Sequence, residues 1–154
     1  MRRLSRVCRR YLSPLVAAFL ATVSFSAFAD GTATINVESE AFDLDGGAIH
    51  ADDIVGSPDD TTVADIRFAY HADRTPHAVA FPAGDGIEMA LIEGAAFDTV
   101  TSSDIAGLVF SSEPTDTPFV GNRTMVIRTD TGAVYKIGNA TEGELVVTFD
   151  YAAL

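Results

Sequence analysis

Hydrophobic and polar residues alternate with a period of two along most of the chain, most clearly between residues 124 and 151. Successive side chains of a β-strand point to opposite faces, so this alternation predicts three strands with one face in a core. Gly132 is expected to occupy a left-handed position in the turn between the first two strands. The residues predicted to face the core are Met125, Ile127, Thr129, Tyr135, Ile137, Leu145, Val147, Phe149 and Tyr151.

Shorter stretches of the same kind precede this segment, at 30–40, 42–49, 64–71 and 79–81. Residues 87–92 are almost continuously apolar, which predicts a central strand that is buried on both faces. One short helix is expected near 102–108. No repeat of 20 to 50 residues is present. Together these patterns predict an all-β fold, an antiparallel β-sandwich or barrel of about eight or nine short strands in a single domain over 30–154.

The first 29 residues have the features of a cleaved signal peptide. They contain five arginines and no acid, an apolar run over 15–28, and small residues at Ala27 and Ala29. The run is too short to favour a membrane span, which needs about 20 apolar residues. We expect an extracytoplasmic protein, periplasmic or secreted. The general secretory route is favoured, although the sequence RRYL at 9–12 resembles a partial twin-arginine signal and leaves that route open.

Removing this segment leaves a strongly acidic chain. All 22 acids follow Ala29, against five bases, so the formal net charge of residues 30–154 is −17. Such a chain repels phosphate backbones and anionic lipid headgroups, which argues against nucleic acid and membrane-surface partners. The excess of acids is explained either by solubility in a saline medium or by a divalent-cation site.

The residue types that carry common catalytic chemistry are poorly represented. Cys8 is the only cysteine and belongs to the signal segment, so the mature chain has no disulfide and no thiol nucleophile. No serine stands in the Gly-x-Ser-x-Gly context of a nucleophile turn. A glycan-processing pair of carboxylates is a distant third possibility. We therefore predict a protein that is not an enzyme.

The order of several short motifs resembles an uncharacterised group of secreted bacterial β-domains. The motifs are FDLDGG at 42–47, ADI at 64–66, AGDGI at 83–87, FDTV at 97–100, DIAGL at 104–108 and VIRTDTGAVYK at 126–136. The group's pattern has Thr and Asn where this chain has Gly46 and Asp85. The resemblance implies a secreted β-fold and no particular activity. The terminal hairpin is also similar to that of haem-binding β-proteins of the periplasm and cell surface.

Four acids near the second predicted hairpin are the candidate metal ligands: Asp43, Asp45, Asp52 and Asp53. Carboxylate oxygens are the ligands that Ca²⁺ prefers, in sets of six to eight. The spacing lacks the twelve-residue loop and closing Glu of a helix-loop-helix calcium site. The alternative is that Asp43 and Asp45 lie on the solvent face of a strand.

Haem or a transition metal would require histidines to converge. His50, His71 and His77 are the only ones, and His71 and His77 bracket a predicted turn. Exposed loop histidines are the alternative interpretation. Tyr70 and Tyr135, with Tyr151, could line a stacking surface, although tyrosines at alternating strand positions more often lie at the rim of a core.

These features predict a non-catalytic binding or surface-interaction module whose partner is a protein, a glycan or a small ligand. The alternative is a small periplasmic carrier of haem or a metal ion.

Overall fold

The computed structural model describes residues 30–37, 39–51, 64–70, 78–113 and 121–154. These contain nine β-strands: β1 Gly31–Asn36, β2 Glu40–Asp43, β3 Ala48–Ala51, β4 Ile66–Tyr70, β5 Ala78–Pro82, β6 Glu88–Glu93, β7 Arg123–Arg128, β8 Val134–Glu142 and β9 Val146–Ala153. Two 3₁₀ turns, Phe97–Thr99 and Ser102–Gly107, lie between β6 and β7. The second is the short helix predicted near 102–108. No helix among the described residues is long and apolar enough to cross a membrane.

The strands form two antiparallel sheets, which confirms the predicted all-β fold as a sandwich. The five-stranded sheet has the order β1-β9-β8-β7-β6 and the four-stranded sheet the order β3-β2-β4-β5. All the pairings are antiparallel. The predicted meander is β7, β8 and β9, and the predicted second hairpin is β2 and β3. The signal segment 1–29 lies outside the described residues.

The core lies between the sheets and is built from the residues that alternate inward. Phe42 of the four-stranded sheet packs edge-on against Phe149 and Tyr151 of β9, with ring centroids 5.6 and 4.9 Å apart. Phe68 lies 5.5 Å from Phe149. The two edge-to-face pairs of Phe42 each add about 0.5–1.5 kcal/mol beyond the burial of their area. The alternation in 124–151 therefore identified the core face correctly, except that Leu145 precedes β9 and is 58% exposed.

The predicted position of 87–92 at the centre of a sheet is wrong, because β6 is an edge strand. Both of its faces are nevertheless covered: Met89 faces the core, and Ala90 on the opposite face is only 6% exposed. The chain that follows, residues 95–111, crosses this outer face, and we call it the covering segment. Ser111 then exchanges two backbone hydrogen bonds with Met89, of 2.8 and 2.9 Å. Both faces of β6 are therefore buried because the covering segment packs on it, and not because β6 is central in the sheet.

Candidate cation-binding site

Three carboxylates converge at one end of the sandwich. Asp45 lies in the turn between β2 and β3, Asp65 directly precedes β4, and Asp130 lies in the turn between β7 and β8. One oxygen of each lies within 4.8 Å of the others. The first two segments belong to the four-stranded sheet and the third to the five-stranded sheet, so the cluster joins the two layers.

Asp65 is the most constrained member of this carboxylate cluster. Its side chain is 4% exposed, and its Oδ2 accepts a hydrogen bond of 2.7 Å from the backbone N–H of Leu44. Its own N–H donates to Phe42 O at 2.9 Å, and its C=O accepts from the N–H of Ala83 at 3.0 Å. These bonds fix Asp65 against the β2–β3 turn, and it is buried together with its neighbours Ala64 and Ile66.

A hydrogen bond between two turns positions Asp45. The hydroxyl of Thr131, in the β7–β8 turn, donates to Asp45 Oδ2 at 2.8 Å. Gly132 follows with a φ of +84°, which confirms the predicted left-handed position and lets the turn close. The β7–β8 turn thus brings both Thr131 and Asp130 to the β2–β3 turn of the other sheet.

Burial and like charges raise the pKa of Asp65 to about 7. Burial is the largest cause, and the nearby carboxylates of Asp45 and Asp43 raise the pKa further, while the N–H groups of Leu44 and Asp45 oppose the shift. Burial, with the charges of Asp45, Asp65 and Asp43, also raises the pKa of the Tyr135 hydroxyl. Three carboxylates this close repel one another at neutral pH, so either a proton or a cation is needed to neutralise them.

The sequence identified one of the three clustered residues. Asp45 was a predicted ligand and belongs to the cluster. Asp43 lies beside it, but its Oδ1 accepts the N–H of Gly46 at 2.8 Å within its own turn, and its Oδ2 lies 3.9 Å from His50 Nε2. The other two predicted ligands, Asp52 and Asp53, lie outside the described residues.

Sequence reasoning missed Asp65 and Asp130. Neither was a predicted ligand, since Asp65 belongs to the predicted strand at 64–71 and Asp130 to the predicted turn that contains Gly132. Both assignments follow local patterns, whereas the convergence arises from contacts between segments distant in the chain. A weak signal was available for Asp65: it is an acid between two apolar residues, Ala64 and Ile66, at the start of a buried strand.

The tyrosines lie in the core or against it, deeper for Tyr135 than the rim position that the sequence suggested. Tyr135 is fully buried and Tyr151 is 8% exposed, both in the core between the sheets. Tyr70 packs against that core, and its hydroxyl donates to the backbone oxygen of Glu144 at 3.3 Å. Their rings are therefore occupied by packing. Of the histidines, His50 lies in β3, and His71 and His77 lie outside the described residues.

Chemically, the cluster offers three oxygen ligands, two from turns and one from the residue that precedes β4. Ca²⁺–oxygen distances of about 2.3–2.6 Å place two ligands of one ion up to about 5 Å apart, which the 4.8 Å limit satisfies. Asp45, Asp65 and Asp130 could therefore hold a hard divalent cation.

No protein-family model, no curated protein and no solved structure matches this chain.

Proposed function

We propose that this protein is a non-catalytic binding module of an extracytoplasmic compartment, and that the turns at one end of its sandwich bind Ca²⁺. The convergence of Asp45, Asp65 and Asp130 from three separate segments carries this proposal. A cation there would offset the repulsion among the three carboxylates and join the two sheets. The excess of acids over bases in the chain favours cations as partners in general.

The spacing of the carboxylates supports binding over catalysis. The paired acids of glycosidases stand about 5 to 10 Å apart, so that a sugar bond, and in some cases a water, fits between them. The three oxygens here lie within 4.8 Å of one another. That distance suits a single ion between them better than a scissile bond.

The experiment is a calcium titration of the purified protein after treatment with a chelator. A ligand at 100 times its Kd stabilises the folded state by about 2.7 kcal/mol, which raises the melting temperature of a domain of this size by roughly 5–10 °C. Asp130→Asn should abolish the rise. Asp98→Asn is the matched control, because Asp98 is an exposed acid in the first 3₁₀ turn, apart from the cluster. Equal melting temperatures with Ca²⁺ and with chelator would refute the proposal.

The carrier of haem or a transition metal is the alternative function. It rests on His71 and His77, which lie outside the described residues. The third histidine, His50, lies beside Asp43 in the β2–β3 hairpin. Titration with haemin tests it: a carrier should show a Soret band that weakens in His71→Ala. An unchanged haemin spectrum would rule it out.

A further inference from the structure

The outer edge of β1 carries backbone groups that no described strand pairs. β1 lies at the end of the five-stranded sheet, and β9 is its one partner among the described strands. The N–H of Val37 donates to Leu145 O, so the odd-numbered residues face β9. The N–H of Asn36 instead donates to the carboxylate of Glu40 at 2.6 Å, so the backbone N–H groups of the even-numbered residues point away from β9. In an antiparallel strand the N–H and C=O of one residue point the same way, so Thr32 and Thr34 present both groups at the open edge.

The other three edges of the sandwich carry protective features. β6 exchanges hydrogen bonds with Ser111, β5 contains Pro82, and β3 has only four residues. Natural proteins block exposed edges with such short strands, prolines and bridging segments. β1 has six residues and contains neither proline nor lysine. It is the described edge best suited to receive another strand.

Acidic residues beside β1 favour a basic partner strand at this edge. Asp30 precedes β1, the carboxylate of Glu40 lies at its far end, and Asp150 accepts a hydrogen bond from the Thr32 hydroxyl at 2.6 Å. A second copy of the chain would place the same acids against these. A segment with regularly spaced lysines or arginines would complement them.

We propose that the β1 edge binds a basic, extended peptide segment as a sixth strand of this sheet. Backbone hydrogen bonds to Thr32 and Thr34 supply the affinity, and the surrounding acids select basic side chains. This inference rests on the proposed role as a binding module, but it does not depend on the calcium site.

The test uses a synthetic capped decapeptide of alternating lysine and valine. Hydrogen exchange followed by NMR should show new protection of the Thr32 and Thr34 amides, while Ala33 and Ile35, which face β9, are protected with or without peptide. Thr34→Pro removes the outward N–H and should weaken binding at least about tenfold. Thr34→Ala is the matched control: it loses only the hydroxyl that meets Thr148 and should bind as the wild type does. Thr32→Pro is a second variant should Thr34→Pro fail to fold.

Four outcomes would overturn the proposal. The peptide could fail to bind, or could bind Thr34→Pro as tightly as Thr34→Ala. An alternating glutamate–valine peptide could protect the same amides equally, which would remove the role of charge. Sedimentation could show a dimer that Thr34→Pro dissociates, which would make a second copy the occupant. The calcium titration is independent, since Thr34→Pro should keep the calcium-induced rise in melting temperature whether or not it binds peptide.

Discussion

Asp65 illustrates how burial and neighbouring charge determine the state of a single carboxyl group. Its side chain is almost completely buried and lies near two other carboxylates, so its pKa is raised from 3.8 to about 7. The proton that it retains in the folded chain is released in the unfolded chain at much lower pH. Asp104 and Asp150 behave in the opposite way, because hydrogen bonds from Thr101 to the first, and from Thr32 and Asn139 to the second, lower their pKa values.

The free energy of unfolding of the metal-free protein is therefore expected to fall as pH rises from about 4 to 7. Below 3.8 Asp65 is neutral in both states, and its contribution is fully present; above about 7 it is ionised in both, and the contribution is lost. The change should be about 2–4 kcal/mol. The lowered pKa values of Asp104 and Asp150 change the free energy of unfolding only below about pH 4, so these two residues do not affect the prediction.

Urea unfolding at pH 5 and pH 8, in the presence of a chelator, measures this difference. Asp65→Asn cannot ionise and should reduce the difference between the two pH values. Asp98→Asn changes an exposed acid outside the cluster and should preserve the difference. The assignment to Asp65 would be wrong if Asp65→Asn showed the same dependence on pH as the wild type.

The same residue scale shows what local sequence can reveal about a site. Asp43 and Asp45 were identified because two acids two residues apart are visible in the sequence. Asp130 was not, because its proximity to Asp45 depends on how two sheets stack. Lys136 lies on the outer face of β8, between the inward residues Tyr135 and Ile137, but the sequence did not show that its Nζ donates to the backbone oxygens of Phe97 and Val100, at 2.9 and 2.8 Å.

At the scale of elements, the packing of the covering segment 95–111 was the feature least predictable from the sequence. It packs on the outer face of the five-stranded sheet, where Val126 is fully buried and Thr124 donates to Ala95 O at 3.0 Å. The Arg128 guanidinium lies 4.1 Å from the centre of the Phe110 ring and pairs with Glu88. Because an apolar strand looks the same whether a sheet neighbour or a covering loop buries it, the pattern at 87–92 could not distinguish an edge from a centre.

The covering segment requires a residue without a side chain in β8. Gly138 is buried beneath Phe97, and an added Cβ would lie 2.9 Å from Phe97 Cβ and 3.0 Å from its Cδ2. Gly138→Ala should therefore lower the free energy of unfolding by about 1–3 kcal/mol. Gly107→Ala is the matched control: a Cβ there meets nothing within 4 Å, and its effect should stay within about 0.5 kcal/mol. Urea unfolding of both variants at one pH measures the difference, and equal stabilities would contradict the close packing of Phe97.

At the scale of the whole molecule, the alternation of side chains was sufficient to predict an antiparallel β-sandwich or barrel, and the structure shows the sandwich. Phe149 was predicted to face the core from a period of two, and it is buried between the sheets together with Phe42 and Phe68. The order of strands was not predictable in this way, because alternation specifies which face of a strand is buried but not which strand is its neighbour. The position of the β1 edge, and with it the proposed peptide-binding surface, became visible only in the folded arrangement.

The excess of acids should make the stability of the whole molecule depend on salt. With a formal net charge of −17 on residues 30–154, the folded chain concentrates like charges that the unfolded chain spreads apart. The Debye length falls from about 30 Å at 0.01 M to about 10 Å at 0.1 M ionic strength, so most of the repulsion is screened at modest concentrations.

We therefore expect sodium chloride to raise the melting temperature of the chelator-treated protein, with most of the gain below about 0.3 M. An effect of salt on apolar hydration would instead keep growing at molar concentrations. Thermal melts from 0.01 to about 2 M NaCl distinguish screening from an effect on apolar hydration by how the melting temperature depends on salt concentration. A calcium chloride series at matched ionic strength distinguishes screening from specific binding. A melting temperature that does not change up to 0.3 M would mean that the carboxylates of the folded chain are already neutralised, by protons or by tightly held cations, and that repulsion does not limit this fold.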